Sequence, residues 1–153
     1  MIGHHQPKEA NMLGKLKQKL EGSMNRFKGK TDFLEAVCAA AALVAAADGE
    51  IEDAEIKATI QGISSNPNLA GAFPSRQIEQ TLENMFERTK GRAGRMGLYG
   101  EINDIANDAD MAETVYLTAL DISESDGQIE PEEKAVLEKI AAKLGLNPAN
   151  YDA

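Results

Sequence analysis

The chain has 153 residues, 42% of them apolar, and a formal net charge of −9 from 16 Lys and Arg against 25 Asp and Glu. This is enough apolar side chain for one domain with its own core, which excludes global disorder. The acidic balance argues against a nucleic-acid partner, and a single cysteine, Cys38, excludes an internal disulfide.

Trp is absent and aromatic residues are few, so alanine and leucine must fill much of the core. The run from Ala36 to Ala47 is strongly apolar, but its 12 residues fall short of a membrane span. It reads as a buried helix, with Cys38 as a small core residue. The polar amino terminus lacks a signal-peptide pattern. A cytoplasmic protein is therefore expected. His4 and His5 are too few for a metal site by themselves.

Residues 1–8 read as a flexible terminus and residues 9–153 as one domain. Leu13, Leu16, Leu20, Met24 and Phe27 recur at helical spacing, which predicts a helix over 9–27. From Lys8 to Lys30 there are seven basic and two acidic residues, a formal +5. The rest of the chain must then carry −14. A basic amphipathic helix of this kind either lies on an acidic membrane surface or docks by its apolar edge and turns its lysines to water. Its candidate contact residues are Lys15, Lys17, Lys19, Arg26, Lys28 and Lys30.

Thr31 or Asp32 is placed to cap the next helix, which runs to about Ala47, with Glu35 as the capping partner inside it. Asp48-Gly49 ends it, and Gly49 can take a positive φ. Ile51 can then pack back on the core while a helix starts near residue 52 and runs to about 63. Residues 62–74 form a long connection with Leu69 and Phe73 as apolar anchors. A helix over 76–90, N-capped by Ser75, places Ile78, Leu82, Met85 and Phe86 on one side. Residues 91–100 are rich in glycine and locally basic. They lack the Lys-Ser/Thr ending and preceding strand of a phosphate-binding loop, so a loop or an irregular helical start is expected. Helical character resumes over about 98–107 and 110–123, the latter with Val115, Leu117, Ala119, Leu120 and Ile122 as its apolar side. Pro131 suits a first helical position, and Val136, Leu137, Ile140 and Leu144 mark the last long helix. Gly145 closes it, and Tyr151 can anchor the tail.

The sequence Asp48-Gly49-Glu50-Ile51-Glu52-Asp53-Ala54-Glu55 returns as Asp126-Gly127-Gln128-Ile129-Glu130-Pro131-Glu132-Glu133. Identities extend back through Ala41/Ala119 and Val37/Val115 to Glu35/Glu113. Two similar helix–turn–helix units, about 31–63 and 109–144, follow. The expected fold is all-α, a compact bundle of six or seven helices with an internal pseudo-two-fold repeat.

Each turn matches the later half of a calcium-binding EF-hand loop. With Asp48 at loop position 5, Gly49 falls at 6, Ile51 at 8 and Glu55 at 12, but positions 1 and 3 are Val44 and Ala46. In the second copy Asp126, Gly127, Ile129 and Glu133 take the same places, with Ile122 and Glu124 at 1 and 3. Neither is a complete EF-hand. Two readings stand: turns that only reverse the chain, or divalent-cation sites formed by Asp48, Glu52 and Glu55 and by Asp126, Glu130 and Glu133. Oxygen ligands favour calcium or magnesium over zinc. Residues 101–139 hold twelve acidic and two basic residues, which gives the second copy the stronger field.

The alanine-rich helix, the Ala46-Ala47-Asp48-Gly49 turn and its glutamates, Glu133-Lys134-Ala135-Val136, and Leu144-Gly145-Leu146-Asn147-Pro148 resemble the tellurite-resistance TerB family. So does the basic leader followed by Phe33-Leu34-Glu35-Ala36-Val37. The resemblance spans roughly residues 12–151. It implies an all-helical, internally symmetric fold and a role in tellurite resistance and wider stress responses. It further implies work beside an integral membrane protein and calcium-binding proteins of the same operon, at the inner face of the cytoplasmic membrane. The acidic turn residues named above are the candidate ligands in that context. The second copy departs from the usual small apolar lead-in through Asp121, Ser123, Glu124 and Ser125.

The leading expectation is thus a nonenzymatic accessory or scaffold protein; the alternatives are a membrane-proximal adaptor and a weak calcium sensor. No Ser/His/Asp set, cysteine pair or zinc signature is present. If the basic segment carries membrane contact, deleting residues 1–30 abolishes sedimentation with anionic liposomes. Unchanged binding, or none by the full chain, leaves the docked helix.

Overall fold

The computed structural model describes residues 31–49, 51–124 and 128–151. The predicted helix over 9–27 and its basic residues lie outside this set, as does Asp126. The described residues form α1 (Thr31–Ala45), α2 (Asp53–Ser64), the single turn α3 (Pro67–Ala70), α4 (Ser75–Arg88), α5 (Arg92–Asn103), α6 (Ala109–Glu124) and α7 (Pro131–Leu144). A 3-10 turn, Pro148–Tyr151, follows. No strand occurs among them. The all-α bundle expected from the sequence is the fold observed.

Helix α1 is the centre. Every residue from Phe33 to Val44 except Glu35 is buried, so the helix is apolar on all sides and must be surrounded. It packs against α2, α4, α5, α6 and α7. Ala36 and Ala39 to Ala42 keep the side-chain layer thin, which lets neighbouring backbones come close. Cys38 is fully buried, and its burial pushes the thiol well above its ordinary pKa. It is a core residue, as its surroundings in the sequence imply.

Glu35 breaks the apolar run. Its carboxyl faces that of Glu101 of α5, and Arg88 Nη1 of α4 lies 3.4 Å from Glu101 Oε2. Glu35 therefore stands where three helices meet; the residue before α1, and with it the N-cap position, lies outside the described residues. Burial, then the charges of Glu101 and Asp32, push its pKa up, while Arg88 opposes them.

Gly49 ends the first turn at φ 89°, and its N–H donates to the Ala46 carbonyl at 2.9 Å. Ile51 folds back on the core. The long connection keeps its two anchors, Leu69 and Phe73, buried, with α3 between α2 and α4. Ser75 is the first helical residue of α4 and not its N-cap; Pro74 holds that place without a side-chain bond. The expected buried face, Ile78, Leu82, Met85 and Phe86, is present.

The glycine-rich segment is helical from Arg92, contrary to expectation. Its glycines have a packing role that outweighs their poor helix propensity. A Cβ on Gly94 would overlap the carbonyl oxygen of Arg88, and one on Gly97 would stand 2.6 Å from Arg88 Nη2. The missing side chains let α5 cross the end of α4. Arg95 Nη1 then donates to the Thr89 carbonyl at 2.9 Å.

In α6 the buried face is Met111, Ala112, Val115, Tyr116, Thr118, Ala119 and Ser123. Leu117, expected inside, is 43% exposed. Hydroxyls mislead the apolar count: Thr118 donates to the Thr114 carbonyl at 2.8 Å and Ser123 to the Ala119 carbonyl at 3.0 Å. Each is satisfied locally and can be buried. Asp108 Oδ1 accepts from the N–H groups of Asp110 and Met111 at 3.1 and 3.2 Å and so caps the helix. Helix α7 begins with Pro131 and ends at Gly145, φ 73°. Leu146 N–H reaches the Ala141 carbonyl at 2.9 Å, the six-to-one bond of a Schellman close. The Tyr151 hydroxyl donates to Glu113 Oε2 at 2.8 Å, and its ring stands edge-on to Tyr116 with centroids 5.2 Å apart. The tail is anchored as the sequence suggests.

Two tests follow from this packing. Gly94→Ala destabilises the fold by about 1–3 kcal/mol in urea unfolding, since the added methyl meets backbone. Gly100→Ala in the same helix, where a Cβ meets nothing, stabilises it by up to about 1 kcal/mol. The second test concerns pH. Folded Glu35 holds its proton to higher pH than in the unfolded chain, where the ordinary value is 4.5. Its contribution is complete below that value and is lost as pH rises through the folded pKa. Glu35→Gln fixes the neutral form. It should raise stability over the parent at neutral pH, with the difference closing as pH falls below 4.5.

Candidate functional site

Asp48 of the first turn, Glu55 of α2 and the glutamates at the start of α7 lie along one surface. Helix α2 packs against both α1 and α6, so the end of the first repeat is brought beside the start of α7. Between them lies a groove of about 550 Å3. Val44 and Ala45 of α1 and Ile122 of α6 supply its apolar part. Asp48 enters from the first turn. Glu55, Ala58 and Thr59 line it from one face of α2, at the i, i+3, i+4 spacing that shares a helix face. Glu130, Glu132 and Glu133 line it from the start of α7.

The six candidate ligands are therefore distributed differently from the two separate triads inferred from spacing. Asp48, Glu55, Glu130 and Glu133 share a single groove. Glu52 does not line it. Glu52 is the N-cap of α2, with extended backbone at φ −89° and ψ 153° and no side-chain cap bond. The rule that residues three apart share a face holds only when both are helical. Asp126 lies outside the described residues. Glu132 lines the groove and was missed by sequence reasoning. Its signal was its place in the first turn of α7, directly after Pro131.

The two turns also differ in local bonding. Glu130 N–H donates to Glu133 Oε1 at 2.9 Å, and the Glu130 carboxylate accepts from the Glu133 backbone, closing a capping box. Part of each carboxylate is thus engaged in starting α7. In α2, Glu55 N–H donates to the Glu52 carbonyl at 2.9 Å, and the Glu52 side chain makes no cap bond. Among the described residues, no three His, Cys, Asp or Glu side chains already form a metal-holding cluster. The donor set is nevertheless all carboxylate oxygen, with the Thr59 hydroxyl turned away to the Glu55 carbonyl at 2.8 Å. That chemistry fits a hard divalent cation and no soft one.

The sequence matches the family described as Tellurite resistance protein TerB over residues 34–153. The chain belongs to the TerB family. No curated protein and no solved structure matches it. The match begins inside α1 and takes in both repeats, so the TerB region includes every described groove carboxylate. Among the described residues, no helix of this TerB-family chain is long and apolar enough to cross a membrane.

Proposed function

We propose that this TerB-family protein is a nonenzymatic accessory of a tellurite-resistance-type stress response. It works through protein partners and holds one divalent cation, calcium or magnesium, in the groove shared by its two acidic turns. Asp48, Glu55, Glu130 and Glu133 would supply the oxygen ligands, with Glu132 adding to the field. The observation that supports this reading is that carboxylates from both repeats line one concave surface. Two half-patterns, each lacking the early ligands of a calcium loop, would make one fuller oxygen set if a cation drew them together. The cation would join the end of α1 and the starts of α2 and α7, and so tie the repeats together. The partners expected from the family resemblance, an integral membrane protein and calcium-binding proteins, belong to the same reading, as does a place at the inner membrane face.

Calcium titration by calorimetry tests the shared site. The parent should take up one ion per chain. Glu55→Gln and Glu133→Gln should each abolish that uptake, although they alter different repeats. Gln at position 133 can keep the capping box, so loss of binding is separable from loss of the helix start. Independent sites would instead leave half of the binding in each variant. No uptake by the parent up to millimolar calcium removes the cation from the proposal.

A further inference from the structure

Across the Asp48-Gly49 turn from the acidic groove lies a second, larger groove of about 1050 Å3. Its floor includes Ile51, Ile56, Phe86 and Tyr99, from the first turn, α2, α4 and α5. Four cations stand along it: Lys90, Arg92, Arg95 and Lys139. Outside the segment from Lys8 to Lys30 the chain carries a formal −14, so this clustering runs against the general charge. Lys139 Nζ lies 4.6 Å from the centroid of the Tyr99 ring, and Lys90 pairs with Glu87 at 2.8 Å in open solvent. Arg92 is exposed and forms no ion pair among the described residues. Met96, 68% exposed, stands at the groove edge. An unbranched thioether there can adapt its shape to an apolar partner.

We propose that this groove receives an acidic amphipathic helix of a partner protein. Its apolar stripe would lie on the partly exposed Ile51, Ile56 and Met96, above the buried Phe86 and Tyr99, and its flanking carboxylates would meet Lys90, Arg92, Arg95 and Lys139. The proposal rests on the reading of the chain as an accessory that works through partners, and not on the cation. An apolar floor between cations is the complement of an acidic helix face. The volume, about 1050 Å3, lies at the top of the usual range for small-ligand pockets, about 300–1,000 Å3, and leaves room for one side of a cylinder about 10–12 Å across. A concave floor is out of reach of a flat bilayer. Asp53 and Glu87 also line the groove, so the four cations outnumber the carboxylates by two, and the flanking carboxylates of the helix would meet the cationic side. The chain's own basic segment, Lys8 to Lys30, has the wrong sign for this rim.

The test uses the full chain and a fluorescein-labelled designed helix of about five turns, with Leu and Met at i, i+3, i+4 and i+7 and Glu on both flanks. A Lys-flanked version is the control. Fluorescence anisotropy should show binding of the acidic peptide only, weakened by added salt. Arg92→Glu and Met96→Ser alter exposed side chains and should leave the fold intact by circular dichroism. Each should lower affinity by roughly tenfold, about 1.4 kcal/mol. Equal binding of the Lys-flanked peptide, no binding of the acidic one up to millimolar concentration, or variants that bind like the parent would overturn the proposal. So would displacement of the peptide by phosphatidylglycerol vesicles, which would assign the surface to lipid. Calcium uptake measured in Arg92→Glu should equal that of the parent, so the two readings fail separately.

Discussion

The burial of α1 on every side is the constraint on which the rest of the molecule depends. A helix with no solvent face must be enclosed by others, and five helices do so here. Its alanines decide how closely they approach. Fully buried Ala36, Ala39, Ala41 and Ala42 leave little side chain between backbones, so contact at this centre is broad and short-range. Adding atoms at these places would push several helices apart together, because interiors are packed to nearly crystalline density. The carboxyl of Glu35 is placed where α4 and α5 can answer it with Arg88 and Glu101.

A central helix held along its length has a fixed end. Both grooves use that end. Val44, Ala45 and Asp48 line the acidic one, while Leu43, Ala46, Ala47 and Gly49 line the basic and apolar one. The Asp48-Gly49 turn is thus a ridge between two surfaces of opposite character. Its sharpness comes from the positive φ of Gly49, which a side chain would strain. Helices α2 and α7 reach both surfaces: Glu55, Glu130, Glu132 and Glu133 face the acidic groove, while Ile56 and Lys139 join Lys90, Arg92 and Arg95 of the α4–α5 corner on the other.

Much of this was legible in the sequence, and the reasons are specific. Asp48-Gly49, Pro131 and Gly145 act through local backbone preference, so their roles follow from neighbours in the chain. Ile78, Leu82, Met85 and Phe86 follow from helical period alone. The misplaced features depend on distant partners. The glycines at 94 and 97 look like helix breakers until Arg88 is seen to occupy the space their side chains would need. Ser123 and Thr118 look polar until their hydroxyls are seen bonded one turn back. The acidic residues were recognised, but their gathering into one groove needs the packing of α2 on α6, which spacing within one repeat does not contain. Glu52 shows the converse: its spacing to Glu55 suggested a shared face that an extended N-cap does not provide.

The pairing of Glu35 with Glu113 aligns α1 with α6 residue by residue, and the aligned positions reveal how two copies of one motif divide their labour. Ala39 corresponds to Leu117, and Leu43 to Asp121. The first member of each pair is buried; Leu117 and Asp121 are both exposed. Only one of the two aligned helices, α1, is enclosed on all sides, so the copies do not share an environment. Where a neighbour helix presses, the residue is small or apolar; where the same position opens to water, size and charge are free to change. Ala41 and Ala119, both buried, remain alike. Likeness at Val37/Val115 and Ala41/Ala119, buried in both copies, marks places where the two environments agree, and the differences at 39/117 and 43/121 mark the boundary at which one copy became the axle and the other the wall.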